Sequence, residues 1–342
     1  MKKKLLTLLL ACLLLAGCGG TTQTPEQKRF TATFLDVFDT VTTVVGFAET
    51  SEAFTETAQA IHDDLLRYHQ LFDIYKEYDG ITNLKSINDA AGGEAIAVDP
   101  VILELLKSCK EYATLTGGRV NVAMGSVLQL WHKARENGIH DPVHATLPDQ
   151  AALEEAARHT DLDQVILDEA NGTVRIADPK LRLDVGAIAK GWAAQKAAEQ
   201  APAGLLISVG GNVCATGAKD AQGTPWVVGI QDPKGGDDYL HTVYLTLGCV
   251  VTSGDYQRVY YVDGVPYHHI IDPDSLYPST YWRSVTVICE DSGLADALST
   301  ALFLLPLADG KALAERCGAQ ALWVNAQGER FYTDGFQAMI RT

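Results

Sequence analysis

One carboxylate constrains this chain more than any other residue. Asp296 stands inside residues 293–305, a run reading Gly-Leu-Ala-Asp-Ala-Leu-Ser-Thr-Ala-Leu-Phe-Leu-Leu. At helical spacing such a run is apolar on nearly every side and belongs in a protein interior. A charge placed there calls for a cationic partner. Thr300 follows four residues later, which puts both oxygens on one helix face about 6 Å apart at Cβ. That face offers a hard cation such as Mg²⁺ two oxygen ligands. The commoner arrangement of such a pair is a solvated Asp with a Thr bonded back to its own helix. Spacing alone leaves both open.

The chain is long enough to enclose that helix. It has 342 residues, 47 % of them apolar, which excludes wholesale disorder, collagen and coiled coil. A formal charge of −16 and a pI near 4.9 exclude nucleic acid as an expected partner, because phosphate backbones require a basic footprint. A small anion held locally by a backbone nest and a metal ion is compatible with that charge.

The amino terminus implies export. Residues 2–4 are lysines, and residues 5–16 form an apolar stretch too short to span a bilayer. The stretch ends Leu15-Ala16-Gly17-Cys18, which resembles the bacterial lipoprotein signal. The resemblance implies a signal peptide over residues 1–17, cut before a diacylglyceryl-modified Cys18. A flexible tether over 18–29 and a single domain over 30–342 are expected to follow. Two acyl chains, at about 0.8 kcal/mol per buried CH₂, make a stable anchor, so the expected location is the extracytoplasmic face of the cell membrane. Removing the signal leaves 24 basic side chains against 43 acidic ones, a charge of −19. Five cysteines remain: Cys109, Cys214, Cys249, Cys289 and Cys317. Their number is odd, they form no CxxC, and most lie in apolar runs, so they read as buried small hydrophobes.

The periodicity of the remaining chain mixes helix and strand. Residues 30–47 read as one or two strands and residues 52–78 as a long helix. Asp99 and Pro100 open a second helix running through Tyr112. A short strand over 181–185 leads into an Ala-rich helix over 186–200. Strands are expected at 204–209, 226–230, 242–247 and 257–262. The tail reads strand 284–289, helices 293–305 and 308–317, then strands 321–324 and 330–332. No repeat and no Pro/Ser-rich linker divides this pattern. The expected fold class is α+β, a two-lobed mixed α/β domain.

Three further clusters could carry chemistry. Gly210, Gly211 and Asn212 end an apolar strand; the paired glycines suit either close approach to a phosphate or a tight hairpin, and the hairpin is the simpler reading. The residues after Asn212 are strand-like rather than helical, so this is no dinucleotide fingerprint. Asp184-Val185-Gly186-Ala187-Ile188-Ala189-Lys190 marks a strand-to-helix junction, where free N–H groups and Lys190 favour an anion; a plain capped helix fits equally well. Asp255 and Arg258 precede a strand and then the adjacent pair His268-His269, whose side chains would point to opposite faces of a strand. No HExxH or His/Cys quartet is present, which argues against a zinc hydrolase.

Taken together, these blocks resemble the ApbE family of FAD:protein FMN transferases over residues 30–341. The matching segments keep the family's order: 38–40, 72–75, 118–131, 184–191, 210–212, 253–258, 269–273 and 295–301. The resemblance implies binding of FAD and Mg²⁺, transfer of FMN to a Ser or Thr hydroxyl of another protein, and release of AMP. It places the metal on Asp296, Thr300 and the backbone carbonyl of Ala187. It places FAD against Phe38, Tyr75, Arg119, Val120, Asn121, Asp184, Lys190, Gly210, Gly211, Asn212, Asp255, Arg258 and Ile271. His269 is the expected general base, since an imidazole titrates near working pH, and Asp296 the other catalytic residue. The implied partners are extracytoplasmic redox proteins that carry covalent FMN. The chain departs from the family where Asp272-Pro273 is followed by Asp274-Ser275-Leu276, without the usual Gly, and where Asn121 replaces an Asp. FAD pyrophosphatase activity at the same site, or flavin binding without chemistry, are the competing expectations.

Overall fold

The computed structural model describes residues 27–236 and 238–342. The expected signal peptide and Cys18 lie outside them. Within them the chain builds one eight-stranded sheet in which chain order equals spatial order. Its strands are β1 (Lys28–Phe34), β2 (Thr42–Ala48), β3 (Leu205–Val209), β4 (Asn212–Ala215), β5 (Gly248–Gly254), β6 (Ser284–Cys289), β7 (Gln320–Val324) and β8 (Arg330–Tyr332). Every neighbouring pair is antiparallel. The first strand opens at Lys28, two residues before the boundary expected at Phe30.

Strand alternation feeds two cores. Val44, Ile207, Val251, Val287 and Trp323 point to one face, into the largest hydrophobic cluster. Val45, Ala215, Val250, Ile288 and Leu322 point to the other, where the hairpin Trp226–Gln231/Tyr239–Leu245 covers them. The first face carries α1 (Ser51–Phe72), α2 (Pro100–Leu115), α4 (Ala189–Gln200), α5 (Ser292–Phe303) and α6 (Leu307–Arg316). A third, smaller core gathers around α3 (Gly125–His140), where Val127 and Trp131 meet Leu153, Tyr260, Ile271 and Leu276. The α+β class is thus realised as a main sheet-and-helix body with a lesser core beside it.

Several elements differ from the periodicity. The first helix stops at Phe72, because the Asp73 carboxylate accepts from the Tyr75 and Lys76 amides and turns the chain. Residues 181–185 form no strand; Arg182 makes only an isolated parallel bridge to Met124, and the Asp184 amide donates to the Val122 carbonyl. Gly125 is required at that crossing, since a Cβ there would collide with the Arg182 carbonyl. The helix expected from residue 186 starts at Ala189, because the Asp184 carboxylate takes the Gly186 amide at 2.8 Å and holds a turn first. The strand expected over 257–262 is confined to Tyr260–Val262. Residues 248–254, the apolar run that contains Cys249, form the central strand β5.

Candidate active site

Asp296 is 5 % exposed on α5. Its Oδ2 accepts from the Gly191 amide and from the Asn212 side-chain nitrogen, each at 2.8 Å. Gly191 has no room for a side chain: an added Cβ would collide with the Ser292 carbonyl oxygen and stand 2.5 Å from the Asp296 Cβ. Helices α4 and α5 therefore touch at Gly191, and the contact aims the carboxylate. Burial raises the Asp296 pKa; Lys190, the Gly191 amide and Asn212 pull it down. Both hydrogen-bond donors are neutral, and no cation lies within ion-pair distance of Asp296 among the described residues. The cationic partner demanded by the sequence is thus left for a ligand to supply. The Ser253 and Ser299 hydroxyls, 2.7 Å apart, tie β5 to the same helix.

A cavity open to solvent lies above this floor. Ala187, Lys190, Asn212, Asp296 and Thr300 line its base, so the two metal-ligand motifs expected from the family resemblance do meet. Gly210 also lines it, whereas Gly211 does not. Both glycines have positive φ, and Val209 pairs directly with Asn212, so they form the two-residue turn of a β3–β4 hairpin. Gly211 is thus placed as the second residue of this turn, beside the cavity rather than in its lining. Gly210 packs on Thr40, 2.7 Å from where its Cβ would be.

Asp255 has a partner of its own. Its carboxylate is held by the Arg283 guanidinium at 2.7 Å and 3.0 Å, and its amide donates to the Arg283 carbonyl. It lies outside the cavity lining and secures the turn leading out of β5. Arg258, three residues on and in left-handed conformation, does face the cavity. His268 and His269 lie on a bend, not on a strand. His268 Nε2 bonds the Ser279 carbonyl, away from the cavity, while His269 lines it. The Nδ1 of His269 donates to the Gln257 carbonyl at 3.2 Å, which leaves Nε2 as a free acceptor. Burial, then the charges of Arg258, Lys190 and Arg135 and the neighbouring His268, bring the His269 pKa down to about 3. The surroundings thus favour the neutral imidazole and place the His269 pKa well below the ordinary histidine range, where the sequence expects titration near working pH.

The wall comes from other segments. Tyr75, Arg119, Val120, Asn121, Asp184 and Ile271 all line the cavity. The Arg119 guanidinium is already paired with Asp272 and Asp274, at 3.1 Å and 2.6 Å. The Asn121 side chain bonds the Thr160 carbonyl and the Ala123 amide. Burial raises the Asp184 pKa against the Gly186 amide and the charges of Arg258, His132 and Arg135. Phe38 lies at an adjoining recess of about 790 Å³ that shares Tyr75, Asp184, Gly186, Lys190 and Arg258 with the main cavity. Both Phe38 and Asp39 have positive φ, and the Phe38 amide donates to His69 Nδ1.

Sequence reasoning missed the α3 face. Leu128, Trp131, His132 and Arg135 stand at i, i+3, i+4 and i+7 and all line the cavity. His132 stacks on Tyr75 with centroids 5.2 Å apart and accepts from Arg135 at 2.7 Å. Arg135 makes no ion pair among the described residues, and burial together with Arg258 lowers its pKa. Helical periodicity through residues 125–140 would have exposed this stripe. Among the described residues, three cations without an ion pair, Lys190, Arg258 and Arg135, thus face two carboxylates that lack cationic partners, Asp184 and Asp296.

Fold and cavity together define an α+β protein whose cleft gathers, among the described residues, two carboxylates without cationic partners and three cations without an ion pair. The sequence profile of the ApbE family matches residues 38–323, and the chain belongs to that family. Its relatives include an FAD:protein FMN transferase of Treponema pallidum, 37 % identical over 260 residues that cover 70 % of each chain. Another, from Klebsiella pneumoniae, is 31 % identical over 277 residues, 77 % of this chain and 83 % of that one. The ApbE protein of Thermotoga maritima superposes with a TM-score of 0.79 at 33 % identity, across 93 % of this chain and all of that one. The flavin transferase ApbE of Vibrio cholerae shares the fold, with a TM-score of 0.75 at 22 % identity over 92 % of this chain and 100 % of that one.

Proposed function

We propose that this ApbE-family enzyme transfers the FMN moiety of FAD to a Ser or Thr hydroxyl of an acceptor flavoprotein and releases AMP, in a reaction dependent on Mg²⁺. One observation carries the reading. A single cavity is lined by Asp296, Thr300 and Ala187, by the cations Lys190, Arg258 and Arg135, and by an imidazole with a free Nε2.

The residues suit a hard cation. One carboxylate, one hydroxyl and one backbone carbonyl are an all-oxygen set, and Asp296 is a buried charge bonded only to neutral donors. When bound, Mg²⁺ supplies positive charge to the pyrophosphate oxygens and to the departing AMP. Lys190 and Arg258 orient the same phosphates, and the Tyr75–His132 stack offers a flat apolar face to a ring. The acceptor oxygen attacks the phosphorus of the FMN half, the bridging P–O bond breaks, and AMP leaves with the bond's electrons. His269 Nε2 takes the hydroxyl proton. Its basicity rises as the anionic pyrophosphate neutralises Lys190 and Arg258, the charges that depress it in the empty site.

The Cys18 motif supports a lipid anchor on the extracytoplasmic face of the cell membrane, with acceptors that carry covalent FMN there. Incubating the protein with FAD, Mg²⁺ and a candidate acceptor should give covalent flavin fluorescence on a denaturing gel, with one AMP released per flavin attached. Free FMN without labelled acceptor would replace the transferase by a pyrophosphatase. Tight FAD binding without turnover would replace it by a flavin-binding lipoprotein.

A further inference from the structure

Three thiols stand in a row across the central sheet, outside the cavity and unused by the chemistry above. Cys214 faces Cys249 across β4 and β5, and Cys249 faces Cys289 across β5 and β6. Directly opposed residues of an antiparallel pair share a face, with Cα atoms about 4.5–5.5 Å apart. A disulfide spans Cα atoms about 4.4–6.8 Å apart, so the strand register already provides the spacing. All three are free thiols. The Cys249 thiol donates to the Cys289 carbonyl at 3.1 Å. The row is graded in access: Cys214 and Cys249 are buried, while Cys289 is half-buried beside exposed Glu290 at the end of its strand. A reagent from solvent therefore meets Cys289 before the other two thiols of the row, and the thiol opposed to Cys289 among the described residues is Cys249.

We propose that Cys249 and Cys289 are a redox-active dithiol that closes to a cross-strand disulfide by exchange with an external disulfide, small-molecule or protein-borne. The Cys289 thiolate attacks one sulfur of that reagent, whose S–S bond breaks and expels a thiolate. The Cys249 thiol gives its proton to that expelled thiolate, attacks the Cys289 sulfur and displaces the second thiolate of the reagent, which takes up the proton that Cys289 released to solvent on ionising. Two protein thiols are oxidised to one disulfide, and the reagent disulfide is reduced to two thiols. Cys214 is screened behind Cys249 and is not the entry point. The exchange lies at the foot of α5: the Cys289 thiol donates to the Asp291 carbonyl at 3.1 Å, and Asp291 caps that helix. The proposal stands independently of the transferase reading.

The test treats the full chain with oxidised glutathione, quenches with acid, blocks remaining thiols with N-ethylmaleimide and maps peptides without reduction. The expected product is one cross-link between the Cys249 and Cys289 peptides, lighter by two hydrogens and removed by dithiothreitol. Cys249→Ser should stop at a stable glutathione adduct on Cys289, and Cys289→Ser should give neither adduct nor cross-link. The proposal is overturned by a stable Cys289 adduct in the unaltered chain, or by a Cys289–Cys317 or Cys214–Cys249 link in its place. It is equally overturned if the folded chain stays reduced where the denatured chain oxidises. The unaltered chain decides the matter whether or not the variants fold.

Discussion

Asp296 on the floor of the cavity and the segment 119–121 on its wall hold their polar groups in opposite ways. On the floor, Asp296 is buried in the largest core and receives only the Gly191 amide and the Asn212 amide nitrogen. On the wall, Arg119 is bound by two carboxylates and Asn121 by a carbonyl and an amide, while Tyr75 is 57 % exposed. A buried charge with neutral partners is an unfinished interaction, because each of its hydrogen bonds leaves the net charge in place. A wall side chain whose bonds are already made contributes shape. The floor should therefore govern turnover and respond to metal, and the wall should govern affinity.

The largest effect is expected at the floor. Asp296→Asn should reduce FMN transfer by about 10³ or more if it removes the metal's charged ligand. The same change should stabilise the metal-free chain, since it deletes a buried charge while keeping the shape. The sign follows from the raised pKa of Asp296. Between the unfolded and folded values the native state holds the extra proton, so metal-free stability falls as pH rises through that window. Thermal melting with and without Mg²⁺ reads both points. The unaltered chain should gain about 2.7 kcal/mol at a hundredfold excess of ion over Kd, and Asp296→Asn should gain none. An equal Mg²⁺ response in the two proteins would remove Asp296 from the metal site.

His269→Ala should come next, lowering transfer by about 10²–10⁴ while FAD still binds. Because the free imidazole is depressed to about 3, the acid limb of kcat/KM should lie well below the ordinary histidine range. The limb of kcat should lie higher, since bound pyrophosphate offsets the neighbouring cations. A kcat/KM inflection at the ordinary histidine value near 6.5 would contradict the depressed imidazole.

Smaller effects separate the two regions. Arg135→Ala, on the wall, should raise KM for FAD about tenfold through loss of one charge-assisted contact, with kcat less affected. Asp255→Ala should shift melting by about 1 kcal/mol or less through its partly buried pair with Arg283 and leave KM for FAD unchanged. Steady-state kinetics over an FAD series distinguishes them, and a KM effect at Asp255 would restore it to the binding site.

The legible parts of this chain are those whose cause is local. The apolar run around Asp296 specifies the buried helix Ser292–Phe303, and the Gly210-Gly211 pair specifies a hairpin turn, because helical burial and positive φ depend on near neighbours. Helix ends are harder, since Asp73 and Asp184 end or delay helices through side-chain bonds to amides two and three residues on. The stripe of α3 is visible as a helical period, but nothing local says that this face lines a cavity rather than a core. The role of Asp255 is open in the sequence because a carboxylate near a glycine turn looks the same whether it faces a ligand or an arginine 28 residues away.

The sequence by itself determined that the helix around Asp296 would be apolar and enclosed, and that the chain would be an α+β protein; it left open whether the carboxylate would be buried or solvated. It also settled which residue types were available to meet a metal and a phosphate. Only the tertiary structure decided what Asp296 touches. Its partners come from Gly191 and Asn212, 105 and 84 residues earlier in the chain. Their meeting depends on a helix contact that admits no Cβ and on a hairpin that returns Asn212 beneath α5. Local periodicity carries the cost of burying a charge; only packing determines which groups offset it.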